Sequence, residues 1–99
     1  MKGIGKLMSN LSEDPAERAR RYIATLEETL QKQVPMKEEF VVGASKIAKV
    51  SDTINRYLRD AHYYLMNGKP TTSLASIAYA EGLLDALTFL ELVKTKPTG

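Results

Sequence analysis

The fold is decided by residues 57–86, which read YLRDAHYYLMNGKPTTSLASIAYAEGLLDA. Asn67 and Gly68 are typical of a helix end, because glycine accepts the left-handed backbone that closes the last turn. Pro70 prevents that helix from continuing and suits the first turn of another helix. The stretch therefore predicts two helices that run antiparallel on either side of the Gly68 turn.

The helix before the turn is predicted over residues 37–67, where apolar side chains recur every three to four positions. Wound at about 100° per residue, they share one arc about 80° wide. The arc consists of Phe40, Gly43, Ile47, Val50, Ile54, Leu58, Ala61 and Leu65. This pattern indicates an amphipathic helix with one buried face.

The helix after the turn is predicted over residues 70–94 and is apolar nearly all round. Only a narrow strip with Glu81, Asp85 and Thr88 is polar. A helix of this kind is buried on several sides. Since the chain offers it only two partner helices, one face is left for another subunit. The candidate oligomer interface consists of Leu83, Leu87 and Leu90.

A further helix is predicted over residues 14–33, with Asp14 as N-cap and Pro15 at the first helical position. It ends before Val34-Pro35, because a residue that precedes proline avoids the helical region. Strand and hairpin signals are absent. We expect an all-α, up-down-up three-helix bundle: a flexible tail over residues 1–11 and a single helical domain over residues 12–96.

Composition narrows the class of protein. The chain has 99 residues, no cysteine and a net charge of +2. It has no apolar run of about 18 residues, the length that a membrane-spanning helix needs. No Gly-rich phosphate loop, Ser-His-Asp set or cysteine nucleophile is found. We therefore expect a cytoplasmic protein with no enzymatic activity, no cofactor and no bound metal.

A series of residues between Tyr57 and Ala86 carries a family resemblance. They are Tyr57-Leu58, Asp60-Ala61, Tyr63-Tyr64-Leu65, Gly68, Leu74-Ala75, Tyr79-Ala80, Gly82 and Leu84-Asp85-Ala86. The pattern resembles the short archaeal proteins catalogued as "domain of unknown function 357". The resemblance implies a small cytoplasmic helical protein, and it brings no catalytic residue with it.

An acidic and aromatic cluster is predicted where the two antiparallel helices meet. The candidate ligand or interaction residues are Asp60, Tyr63, Tyr64, Tyr79, Glu81 and Asp85. Glu81 and Asp85 are four positions apart on one helix face. Together with Asp60 they offer carboxylate oxygens for a divalent cation or a small ligand. The alternative is a solvated acidic strip.

Basic residues suggest a second alternative, contact with nucleic acid. The candidate basic patch consists of Lys46, Lys49, Arg56 and Arg59. The spacing of Arg56 and His62 also resembles the Arg-x(4–6)-His motif of the helical nucleases called HEPN domains, which implies RNA cleavage. Acidic residues interleave with the basic ones, as on an ordinary solvated helix face. Nucleic acid is therefore not the favoured partner.

Since no catalytic constellation is found and the third helix is unusually apolar, we favour a non-enzymatic module. It associates with itself, most simply as a homodimer, and docks another macromolecule whose identity the sequence does not give.

Overall fold

The computed structural model describes residues 14–96 and places three helices in them: α1 (Pro15–Lys32), α2 (Ala44–Met66) and α3 (Pro70–Phe89). Residues 14–96 contain no strand, which confirms the prediction of an all-α fold with three helices. The chain divides into two compact units, one up to Phe40 with α1 and one from Val41 with α2 and α3. The single domain over 12–96 stays a prediction, and the predicted tail over 1–11 lies outside the described residues.

Helix α1 begins and ends as the sequence indicates. Pro15 occupies the first turn, and the carbonyl of Asp14 accepts the Arg18 N–H at 3.0 Å, although the Asp14 side chain makes no capping bond. Gln33 is extended, with ψ of 140°, just before Val34-Pro35. None of the residues of α1 is buried. Ile23, Leu26 and Leu30 are exposed, and Tyr22 is half-buried.

Helix α2 begins at Ala44, so the predicted start at residue 37 is wrong. Gly43 is extended, and its carbonyl accepts the N–H groups of Lys46 at 3.1 Å and Ile47 at 3.3 Å. It is therefore the N-cap, a position that suits glycine. Phe40 lies before the helix, in a segment that ends with two β-branched valines of lower helix propensity. Phe40 and Gly43 do not belong to the helical arc.

The turn between α2 and α3 is a Schellman motif, the closure predicted from Asn67-Gly68. Gly68 is left-handed, with φ of +73°. The Lys69 N–H donates to the Tyr64 carbonyl at 2.8 Å, and the Gly68 N–H donates to the Leu65 carbonyl at 3.3 Å. These two bonds satisfy carbonyls that a helix end leaves without a partner. They also reverse the chain within a few residues.

Helix α3 ends at Phe89, so the predicted end at residue 94 is wrong. A second Schellman motif closes it: Leu92 N–H donates to the Leu87 carbonyl and Glu91 N–H to the Thr88 carbonyl, both at 2.9 Å. Glu91 occupies the left-handed position with φ of +58°. Apolar periodicity continues to Val93 and predicts a longer helix. Periodicity cannot reveal this end, because glutamate is not a residue that normally marks it.

We expect Glu91→Gly to raise the free energy of unfolding by about 0.5–1 kcal/mol. Left-handed backbone costs a residue with a Cβ about 1–2 kcal/mol, and the greater freedom of glycine in the unfolded chain offsets part of this. Urea unfolding followed by circular dichroism measures the change. Glu91→Ala is the control, since it removes the carboxylate and keeps the Cβ. An equal gain in the control would show that the carboxylate is responsible.

Helices α2 and α3 pack as an antiparallel hairpin. The Ser73 hydroxyl donates to the Ala61 carbonyl at 2.7 Å, and the rings of Tyr57 and Tyr79 lie 4.8 Å apart. Small side chains at the contact let the two backbones approach closely. Within the described residues, the buried side chains are those of Ala61, Thr72, Ser73, Ser76, Ala80 and Leu87. The core of the hairpin is therefore small.

Candidate functional site

The α2–α3 hairpin has two flanks, one on each side of the line where the helices touch. We call the first the groove flank; Leu58, Ala61, His62, Leu65, Ser73 and Ile77 line it. We call the second the tyrosine flank; it carries Tyr57, Tyr64, Tyr79 and Leu83. Tyr57 and Tyr64 each directly precede a leucine of the groove flank, and each points about 100° away from that leucine, across the buried Ala61.

The groove flank is an open apolar surface. Its groove has a volume of about 240 Å³. Leu58 is 40% exposed and Leu65 is 61% exposed, so solvent reaches the walls. Sites for small ligands are larger, roughly 300–1,000 Å³, and enclose most of the ligand. A groove of this shape suits contact with another apolar surface better than capture of a small molecule.

In the structure the aromatic residues do not form one cluster but two separate ring pairs. Tyr79 packs edge-to-face on Tyr57 at 4.8 Å, and Tyr63 packs edge-to-face on Tyr64 at 5.4 Å. Tyr63 is 61% exposed on the outer side of α2. Sequence reasoning missed Tyr57 as a site residue. Its spacing of seven from Tyr64, which puts both on one face of a helix, is the signal that finds it.

The structure does not bring the three candidate carboxylates together. Within residues 14–96, no group of three or more His, Asp or Glu side chains can hold a metal ion. Asp60 precedes Ala61, whose carbonyl meets Ser73 in the first turn of α3. Glu81 and Asp85 lie two to three turns further along α3. The predicted cation site at Asp60, Glu81 and Asp85 is therefore not assembled, because antiparallel packing separates residues that looked close.

The basic residues of α2 form an exposed surface. Lys46, Lys49, Arg56 and Arg59 are all exposed. The Arg56 guanidinium lies 5.7 Å from the centre of the Tyr57 ring. His62 stands about 9 Å further along the axis and about 120° around it. Arg56 and His62 therefore do not converge on one point, as a nuclease pair would have to.

The three candidate interface leucines of α3 differ in exposure. Leu83 is half-buried, Leu87 is 4% exposed and Leu90 is 66% exposed. Leu87 belongs to the core, since it shares the side of α3 that carries Ala80. Three further side chains that the sequence analysis did not place at the interface are exposed on this helix, namely Leu74 at 66%, Leu84 at 47% and Phe89 at 80%. The exposed apolar surface of α3 is thus broader than the predicted leucine set.

Comparison with known proteins places the chain in a family. A model of the family described as "Protein of unknown function (DUF357)" matches residues 21–93. No curated protein and no solved structure matches the chain. Within the described part of the chain, no helix is long and apolar enough to cross a membrane. The family model covers most of the chain, from α1 to just beyond α3, and the protein belongs to the DUF357 family.

Proposed function

We propose that this protein is a non-enzymatic helical module that associates with itself through the α2–α3 hairpin and docks a further macromolecule. One observation carries the proposal: large apolar side chains of the hairpin remain exposed. On α3 these are Leu74, Leu84, Phe89 and Leu90, with 47–80% of each residue exposed. Exposed apolar side chains of this size favour contact with another apolar surface.

The exposed apolar side chains at α3 offer free energy of the same order as the cost of association. Full burial of one Leu or Phe side chain is worth about 1.5–3 kcal/mol. Four such side chains, each about half to four-fifths exposed, therefore offer several kcal/mol per copy. Association costs about 4–15 kcal/mol in lost freedom of motion. Burial of these side chains by two copies gains free energy of the same order as that cost.

The presence of two flanks on the hairpin favours the binding of two different partners. Both carry apolar or aromatic side chains, on opposite sides of the α2–α3 contact. One added helix or one second copy covers a single flank. The other flank then remains for a further macromolecule. The absence of cysteine from the chain suits a reducing compartment, so we place this activity in the cytoplasm.

Sedimentation equilibrium over a hundredfold range of concentration tests the proposal. We expect a mass that rises toward twice the 11.0 kDa of one chain. Leu90→Lys places a charge on the exposed surface and is expected to shift the mass toward that of one chain. Met66→Lys is the matched control, because Met66 is 85% exposed on the outer side of α2. A mass of one chain throughout the range would contradict self-association.

A further inference from the structure

Asn67 and Gly68, which follow the last residue of α2, form a dipeptide that can modify itself. The chain has three asparagines, and only Asn67 is followed by glycine. In deamidation the backbone nitrogen of the next residue attacks the asparagine side chain. Glycine permits this attack best, because it has no Cβ to obstruct the approach and reaches more backbone conformations. Asparagine counts among the thermally labile residues of proteins, and Asn67 has the most reactive neighbour.

Deamidation at this dipeptide needs no reactant other than water. The Gly68 nitrogen forms a bond to Cγ of Asn67, the bond from Cγ to Nδ2 breaks, and ammonia leaves with the proton that the Gly68 nitrogen loses. Water then opens the five-membered ring at one of its two carbonyl carbons. Opening at one carbon gives aspartate at this position. Opening at the other gives isoaspartate, in which the main chain runs through the former side chain.

The folded turn keeps the two reacting groups apart. Nδ2 of Asn67 donates a hydrogen bond to the Tyr63 carbonyl at 2.7 Å, which directs the side chain back along α2. The Gly68 N–H donates to the Leu65 carbonyl at 3.3 Å, so the proton that has to leave is engaged. Closure of the ring requires the Gly68 nitrogen and Cβ of Asn67 on the same side of the Cα–C bond. The ψ of 20° at Asn67 places them on nearly opposite sides.

Hydrogen bonds on both sides of the dipeptide maintain this unreactive conformation. The Lys69 N–H donates to the Tyr64 carbonyl at 2.8 Å. The Ser73 hydroxyl, in the first turn of α3, donates to the Ala61 carbonyl at 2.7 Å and connects the two helices. Rotation about ψ of Asn67 moves everything that follows relative to α2, so it has to break these bonds. Cyclisation therefore requires the turn to open first.

We propose that Asn67 is a deamidation site that the closed turn protects, and that the reaction, once it has occurred, weakens the turn. A carboxylate has no N–H to donate to the Tyr63 carbonyl. Its negative charge also lies at the C-terminal end of α2, where the helix dipole disfavours it. Isoaspartate in addition lengthens the main chain by a methylene next to Gly68. The reaction takes place within one copy of the chain and does not depend on self-association.

The rate of deamidation in the folded and in the unfolded chain tests the protection. Peptide mass spectrometry after timed incubation measures it, and Asn55, which precedes Arg56 within α2, is the internal control. We expect Asn67 to react at least about tenfold faster in guanidinium chloride that unfolds the chain, which corresponds to about 1.4 kcal/mol for opening the turn. Equal rates in the two states would overturn the protection. An unfolded chain that reacts no faster at Asn67 than at Asn55 would overturn the site.

Two variants test whether the turn provides the protection, and both leave the dipeptide unchanged. Lys69→Pro removes the N–H that the Tyr64 carbonyl accepts, and its φ of −119° does not suit proline. We expect it to raise the rate at Asn67 in the native buffer about tenfold. Lys69→Ala removes the same charge but keeps the N–H, and should stay within about threefold of the parent. Ser73→Ala, which loses the hydroxyl bond between the helices, should raise the rate about fivefold even if Lys69→Pro fails to fold. Unchanged rates in the variants that fold would overturn the role of the turn.

Asn67→Asp tests the effect of the reaction on the turn, since it reproduces the simpler product. We expect the midpoint of thermal unfolding to fall by about 2–6 °C, because the donor to the Tyr63 carbonyl is lost and a negative charge is added at the end of α2. Asn55→Asp makes the same chemical change within α2 and is the matched control, with little change expected. Equal midpoints for Asn67→Asp and the parent would overturn the proposed weakening.

Discussion

Leu87→Ala is expected to lower the free energy of unfolding by about 2–4 kcal/mol, the largest effect of any single substitution considered for this protein. Leu87 is 4% exposed, and the other buried hydrophobic residues of the described chain are Ala61 and Ala80. A chain of about 100 residues has a total stability of about 5–15 kcal/mol. The hairpin therefore depends on one large side chain for much of its stability.

Urea unfolding followed by circular dichroism measures the effect, at a concentration low enough to favour the monomer. Leu74→Ala is the matched control, because Leu74 belongs to the same helix and is 66% exposed. We expect the control to change the free energy of unfolding by about 0.5 kcal/mol or less. Equal losses at the two positions would contradict the placement of the core at Leu87.

Gly68→Ala is expected to lower the free energy of unfolding by about 1–2 kcal/mol. Gly68 has φ of +73°, and a Cβ in this left-handed region meets the following carbonyl. The space around Gly68 is open, so the loss comes from the backbone and not from a clash with a neighbour. The two bonds of the Schellman motif hold the carbonyls of Tyr64 and Leu65, and both depend on this conformation.

Thermal unfolding of three variants separates this explanation from a general effect of removing glycine. Gly68→Asn should recover part of the stability, since asparagine tolerates the left-handed region better than alanine. Gly82→Ala, in the middle of α3, should be neutral or stabilising by up to about 1 kcal/mol in the monomer. Equal destabilisation by Gly68→Ala and Gly82→Ala would contradict the role of the left-handed turn.

Local chemistry made the central turn predictable from the sequence. Asn67, Gly68 and Pro70 act on the backbone within a few residues of themselves, and the helices around them end and begin as these residues require. The same holds for Pro15 and Pro35 around α1. The start of α2 and the end of α3 were predicted wrongly because apolar periodicity extends beyond the helices. Gly43 sets the start of α2 and the left-handed Glu91 sets the end of α3, although the apolar pattern continues past both.

The candidate site was less predictable, because it depends on which residues of α2 and α3 lie side by side along the hairpin. Tyr79 was expected beside Tyr63 and Tyr64 but lies against Tyr57. Leu87 was expected at a surface but is buried. The first difference follows from the axial level at which the antiparallel helices meet, and the second follows from the rotation of α3 about its own axis. A helix that is apolar nearly all round does not fix that rotation from its sequence, since several faces are equally suited to burial.

Sedimentation equilibrium of the full chain tests the central claim most directly. The proposed self-association predicts a mass that rises with concentration toward twice the 11.0 kDa of one chain, and that falls when Leu90 is replaced by lysine. A mass of 11.0 kDa at every concentration, for the parent and for the variant alike, would contradict it.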